Sequence, residues 1–324
     1  MLNPPLSLLS DDLLMHIVDH LAKPPFSKCD LYNLSITDRA FTYFCQAYFV
    51  KDLYLAYGSD PIDKDSISNK LERKRDILID RPSLANRVRA VHLVVSPYRN
   101  KLVFNDPNFI TIIELLAKSP VPPHELHFTG RWASHILKDL VVGWLLQSFF
   151  SQTLTVLNLY RCKNVPLSLF LVCPNLKELH LDYVRGFDPT GRDSEYYDTQ
   201  CSGRELPALE YLDYRNSGSL IDLMINPPPD LSMAVVVWSK LRILKLCPKE
   251  KAGMACLQPI LDASCNTLEE LYLSNERETL ANKLSNVGGK KVILIDDANL
   301  TSLSRTTKSE WPRRPKTSFK PPHL

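Results

Sequence analysis

Glycine is scarce in this chain, 10 in 324 residues. None of the ten falls in a Gly-x-Ser-x-Gly elbow or a phosphate-cradling Gly-x-x-x-x-Gly-Lys loop, so the local signatures of many hydrolases and nucleotide-binding enzymes are missing. The eight cysteines never form a Cys-x-x-Cys pair, the spacing expected of a zinc ribbon or a redox motif. Most of them sit in apolar runs, where a free thiol behaves as a small hydrophobe. The opening residues, Met1 to Pro5, have neither a basic region nor an apolar signal core, which predicts a reducing compartment, cytoplasmic or nuclear or both. No apolar run reaches the ~20 residues of a membrane span; the strongest, Leu140 to Phe150, is interrupted by Gln147 and Ser148. Net charge is also small, at +3. Residues 301–324 hold six basic side chains against Glu310, a local +5, which leaves −2 for everything before them. A body so close to neutral gives no electrostatic reason to expect nucleic acid as its main partner.

What the chain does have, at 44% hydrophobic and 23% charged residues, is the composition of an ordinary globular protein. In its first 55 residues two apolar patterns lie side by side. Leu13, Leu14, Ile17, Val18 and Leu21 recur at helical spacing, behind Ser10 as a natural N-cap and with Asp11 and Asp12 at the positive end of the helix. A second pattern runs from Asp30 through Leu31, Leu34 and Phe41 to Phe44, Cys45, Phe49 and Leu53. A bundle of about 50 residues buries too little of its own surface to be comfortable alone, so part of this apolar surface should meet a partner.

These residues carry a resemblance. Leu9, Asp11, Asp12, Leu13, Leu14, Ile17 and Leu21, followed by Asp30, Leu31, Leu34, Ser35, Arg39 and Phe41, are similar to the F-box, with Ser10 where that family usually has proline. The resemblance covers Leu6 to about Leu55. It implies docking onto the small adaptor subunit of an SCF-type cullin-RING ubiquitin ligase, and through it the cullin, with adaptor contacts at Leu9, Leu13, Leu14, Ile17, Leu31, Leu34 and Phe41. The rest of the chain would then select the protein to be ubiquitinated. The alternative is a stand-alone scaffold without a ligase role, in which the N-terminal helices merely cap the next domain.

Beyond residue 85 an L-x-x-L-x-L theme returns: Val88 to Leu93, Leu154 to Leu159, Leu176 to Leu181, Leu209 to Tyr214, Leu241 to Leu246 and Leu268 to Leu273. Leu126 and Phe128 form a weaker copy, and Val292 to Ile295 a candidate last one. From Leu154 onward the first positions are 22, 33, 32 and 27 residues apart. The end of each copy alternates like a strand, and one such unit cannot bury its leucines alone, whereas stacked units can. Helical patterns at Phe109 to Ala117, Ser134 to Phe150, Leu220 to Ile225 and Met254 to Ser264 lie between the copies. The region resembles an irregular leucine-rich-repeat solenoid, although an ordinary α/β domain with leucine-rich strands remains open. The stretch Arg81 to Leu93 is also similar to the entry to the repeats in fungal F-box proteins.

The fold class expected is therefore α/β. N-terminal all-α F-box helices over residues 1–55 lead through a helical connector at 56–85 to a leucine-rich-repeat solenoid at 86–300, with a parallel sheet and helices on the convex side. Residues 184–207 and 226–229 read as loops, and 301–324 as a disordered basic tail.

Strand alternation selects candidate target-binding residues. If the leucines turn inward, His92, His127, Asn158, Tyr160, His180, Asp182, Asp213, Arg215, Lys245 and Tyr272 share the opposite, open face. That mixture of both charges with His and Tyr suits a protein epitope better than a phosphate backbone. No catalytic residue, metal ligand set or cofactor is indicated. His124 and His127 have the wrong spacing for a helical zinc site, and His16 with His20 reads as a solvated helix face.

Overall fold

Ser10 begins the first helix as its residue type suggests. Its hydroxyl accepts the Leu13 N–H at 3.4 Å, and Asp11 and Asp12 occupy the first turn of α1 (Asp11–Leu21). Helix α2 (Lys28–Thr37) follows, and Asp38 then caps α3 (Arg39–Lys51) by accepting the Ala40 N–H at 2.8 Å. This computed structural model describes residues 9–22, 28–56, 64–95, 106–130, 149–186, 205–227, 234–247, 257–274 and 291–295. The three helices enclose a small core of Leu14, Val18, Leu31, Phe41 and Cys45, flanked by Leu9, Leu21 and Leu34.

The apolar pattern that reads as helix through Leu53 changes character after Lys51. Leu53 and Leu55 belong to strand β1 (Asp52–Ala56), because their spacing of two matches Val91 and Leu93 of β2 (Ala90–Val95), with which β1 pairs in parallel register. Seven further parallel pairings follow the same plan. After α4 (Lys64–Asp80), α5 (Pro82–Ala85) and β2 come α6 (Pro107–Ala117), β3 (Glu125–Gly130), β4 (Val156–Tyr160), α7 (Ser168–Leu171) and β5 (Glu178–Asp182). Then come β6 (Tyr211–Arg215), α8 (Gly218–Ile225), β7 (Ile243–Cys247), α9 (Leu257–Ala263), β8 (Glu270–Ser274) and β9 (Lys291–Ile295). The nine strands form one parallel sheet in strict chain order, β1 to β9. The protein is thus a mixed α/β structure with N-terminal helices.

Each copy of the leucine theme has one structural meaning. Leu154, Leu176, Leu209 and Leu241 precede their strands and are fully buried; the leucines inside the strands, with Tyr214 in place of one, are buried beside them. All join a single core that runs from Leu55 to Leu273. Ahead of the strands one carbonyl of each unit accepts two N–H groups of the next. The His124 carbonyl takes Thr155 and Val156, Thr155 takes Lys177 and Glu178, Lys177 takes Glu210 and Tyr211, Glu210 takes Arg242 and Ile243, and Arg242 takes Glu269 and Glu270. The repeat spacing in sequence varies, yet this junction does not, because added residues leave and re-enter at the same two bonds.

Helices α6, α8 and α9 match the expected helical patterns to within a few residues. Of the expected helix at 134–150 only 149–150 lie among the described residues; most of the 184–207 loop, residues 228–229 of the second loop and the whole 301–324 tail lie outside them.

Candidate functional site

Two surfaces stand out: the outside of the three-helix module and the open face of the sheet. On α1 the apolar stripe is wider than the buried one. Leu14 and Val18 face inward at 3% and 1% exposure, whereas Leu13 and Ile17, one turn apart on the flank of that stripe, are 52% and 36% exposed. On α2, Leu31 is buried, while Tyr32 and Ile36, again one turn apart, are 59% and 67% exposed. Of the eleven large hydrophobic side chains exposed among the described residues, seven lie between Leu13 and Phe49.

This divides the contact residues expected from the F-box resemblance. Leu13 and Ile17 face outward. Leu14, Leu31 and Phe41 do not: they form the module's own core, and side chains so fully covered have no surface to offer a partner. Leu9 and Leu34 are half-buried against that core. Sequence reasoning passed over Tyr32 and Ile36; their spacing of four on a helix already anchored by Leu31 and Leu34 was the available signal.

The sheet face bears out the alternation: β3, β4, β6 and β7 begin half-buried and then alternate buried and half-buried. Because the sheet is parallel and in register, one residue per strand lines up across it. His92, His127, Asn158, His180, Asp213, Lys245 and Tyr272 form a single row, with Tyr54 of β1 at its start. Tyr160, Asp182 and Arg215 form part of a second row. All ten expected residues therefore lie on one surface. A third row, read off two residues earlier in each strand and not anticipated, carries Asp52, Glu125, Glu178, Tyr211 and Glu270.

Neighbouring rows interlock. His92 lies between the rings of Tyr54, 4.2 Å away at 14°, and His127, 4.1 Å away at 18°. Its Nε2 is buried and makes no hydrogen bond among the described residues, the Asp52 carboxylate standing 3.5 Å off. His127 approaches Glu125 at 3.6 Å, Arg215 approaches Asp213 at 3.6 Å, and the Tyr272 hydroxyl donates to Glu270. Lys245 places its ammonium over both Tyr211 and Tyr272, at 5.2 and 4.8 Å. At the far ends of β4 and β5, Arg161 and Tyr183 adopt left-handed backbone, φ 54° and 55°, held by N–H bonds to the carbonyls of Asp182 and Arg215. Such conformations in bulky residues gather at functional surfaces. Among the described residues no group of His, Cys, Asp and Glu is placed to hold a metal ion.

Burial pushes the His92 and His180 pKa values below the ordinary 6.5, against the opposing pull of Asp52 and Asp213 respectively. Between the depressed and the ordinary value the unfolded chain binds more protons than the folded one, so stability is full above 6.5 and is lost as the pH falls. Glu125, held below 4.5 chiefly by the neighbouring His127, acts in the same direction at lower pH. The urea midpoint should therefore be lower at pH 5.5 than at pH 7.5, and the difference should shrink in a His92→Phe, His180→Phe double variant. An unchanged difference would remove the histidines from the account.

Among the described residues no helix is long and apolar enough to cross a membrane. Comparison with protein-family models and with curated proteins finds no match to this chain.

Proposed function

We propose that the chain is the non-catalytic substrate receptor of an SCF-type cullin-RING ubiquitin ligase, in which the N-terminal helices act as an F-box and the sheet-bearing region as a leucine-rich-repeat solenoid. The observation that carries this is the outward apolar surface of α1 and α2. Leu13, Ile17, Tyr32 and Ile36 stay exposed after the module has completed its own core, and an apolar surface of that kind marks a protein docking site. The strictly sequential parallel sheet with one open face is the arrangement that repeat proteins use to hold a partner. Function then follows from proximity alone: the helices grip the adaptor, the sheet face grips the target, and a target lysine is held near the charged conjugating enzyme at high effective concentration.

A second reading has its own support. Helix α3 runs without a break into β1, and Arg87 lies over the Tyr43 ring at 4.0 Å, so the helices also cap the edge of the sheet. A stand-alone repeat scaffold would need no more than that. Mixing the purified full chain with the purified adaptor and measuring complex formation by size-exclusion chromatography separates the two. A stoichiometric complex supports the receptor, and two unshifted peaks leave the scaffold.

A further inference from the structure

The open face of the sheet is acidic. Across the described positions of β1 to β9 it presents six carboxylates, Asp52, Glu125, Glu178, Asp182, Asp213 and Glu270, against the cations Arg215, Lys245 and Lys291, a net −3 with the histidines neutral. Arg215 and Lys245 are already engaged on the face itself, Arg215 beside Asp213 and Lys245 over its two tyrosines. The carboxylates are also spaced. In the row Asp52, Ala90, Glu125, Val156, Glu178, every second strand carries an acid. Neighbouring strands are about 4.8 Å apart, so these acids recur at about 9.6 Å.

The same chain contains a segment with the complementary pattern. Residues 301–324 carry Arg305, Lys308, Arg313, Arg314, Lys316 and Lys320 against Glu310 alone. Arg305 and Lys308 are three residues apart, as are Arg313 and Lys316, and Pro312 and Pro315 favour the polyproline II conformation. With three residues per turn and ~3.1 Å per residue, that conformation puts such pairs on one side, about 9.3 Å apart, close to the spacing of the acids. Reach is sufficient. Strand β9 ends at Ile295, so ten residues lead to Arg305, about 31 Å of extended chain, whereas Glu178 lies four strands away, roughly 19 Å.

We infer that the basic segment 305–320 lies across the acidic face of the chain's own sheet, its cations paired with the carboxylates on alternate strands. Being tethered, it acts at an effective concentration in the millimolar range and outcompetes free basic peptides. Any partner that uses this face must displace it. The inference does not depend on adaptor docking by the helices.

The test uses the full chain at low micromolar concentration and a carbodiimide, which joins a lysine amine to a carboxylate with loss of water and adds no spacer. The exposed Lys177–Glu210 pair, 2.9 Å apart just ahead of β5 and β6, is the internal standard. Expected are links from Lys308, Lys316 or Lys320 to Glu125, Glu178 or Glu270, formed within one copy when isotopically light and heavy chains are mixed. In 1 M salt the screening length falls to about 3 Å, and the tail links should drop at least fivefold relative to the standard. The same drop is expected for the Arg313→Glu, Arg314→Glu variant, which leaves every lysine in place. The inference is overturned by a standard that forms without tail links, by links only between different copies, or by links that neither salt nor charge reversal reduces.

Discussion

Replacing Leu179 by alanine should lower the unfolding free energy by about 3 kcal/mol, within the 2–5 kcal/mol seen when a large aliphatic side chain is removed from a packed core. Leu179 is fully buried in β5, between Leu157 of β4 and Leu212 of β6 in the register of the sheet. The strands on either side are fixed by their own ladders, so the site cannot collapse easily around the missing atoms, and most of the cavity should persist. Domains of ordinary stability have only 5–15 kcal/mol in total, so the urea midpoint should move markedly. Glu178→Ala, one residue earlier and on the opposite face, should stay within about 0.5 kcal/mol. Equal effects at 178 and 179 would mean that β5 is not inserted in the sheet as described.

The second large effect concerns docking rather than folding. Changing Leu13 and Ile17 together to aspartate should abolish adaptor binding, by ~100-fold or more, since burying each such side chain is worth about 1.5–3 kcal/mol and a factor of ten is 1.4 kcal/mol. Thermal stability should hardly change, because both side chains already face solvent. Leu14→Asp is the contrasting case. Its side chain lies in the module's core with Val18, Leu31, Phe41 and Cys45, and an unpaired charge there should unfold the three helices. A double variant that melts with them would place Leu13 and Ile17 in a structural role instead.

Much of this architecture was legible because it rests on spacing. The theme of three leucines located β4 to β8, and alternation inside each copy put all ten candidate target residues on one face. The copy at Val88, the weaker one at Leu126 and the candidate last one at Val292 also proved to contain strands. Leu53 and Leu55 were not recognised as a strand, since two leucines at a spacing of two, straight after a helix, acquire meaning only beside Val91 and Leu93. Nor could local pattern divide the N-terminal leucines into core and surface. Leu13 and Leu14 are adjacent in sequence and equally apolar, and only the positions of α2 and α3 decide that one is buried and the other bare. The acidic row escaped for a similar reason. Asp52, Glu125, Glu178 and Glu270 belong to strands tens of residues apart, and become one feature only through the register of the sheet.

The most direct test of adaptor docking is hydrogen–deuterium exchange of the full chain, read peptide by peptide with and without a saturating amount of the purified adaptor. Expected is slower exchange over residues 11–21 and 28–37, which carry Leu13, Ile17, Tyr32 and Ile36, with β4 to β6 unchanged. An unaltered pattern in the helices, or protection found on the sheet instead, would contradict the proposed role of the N-terminal module.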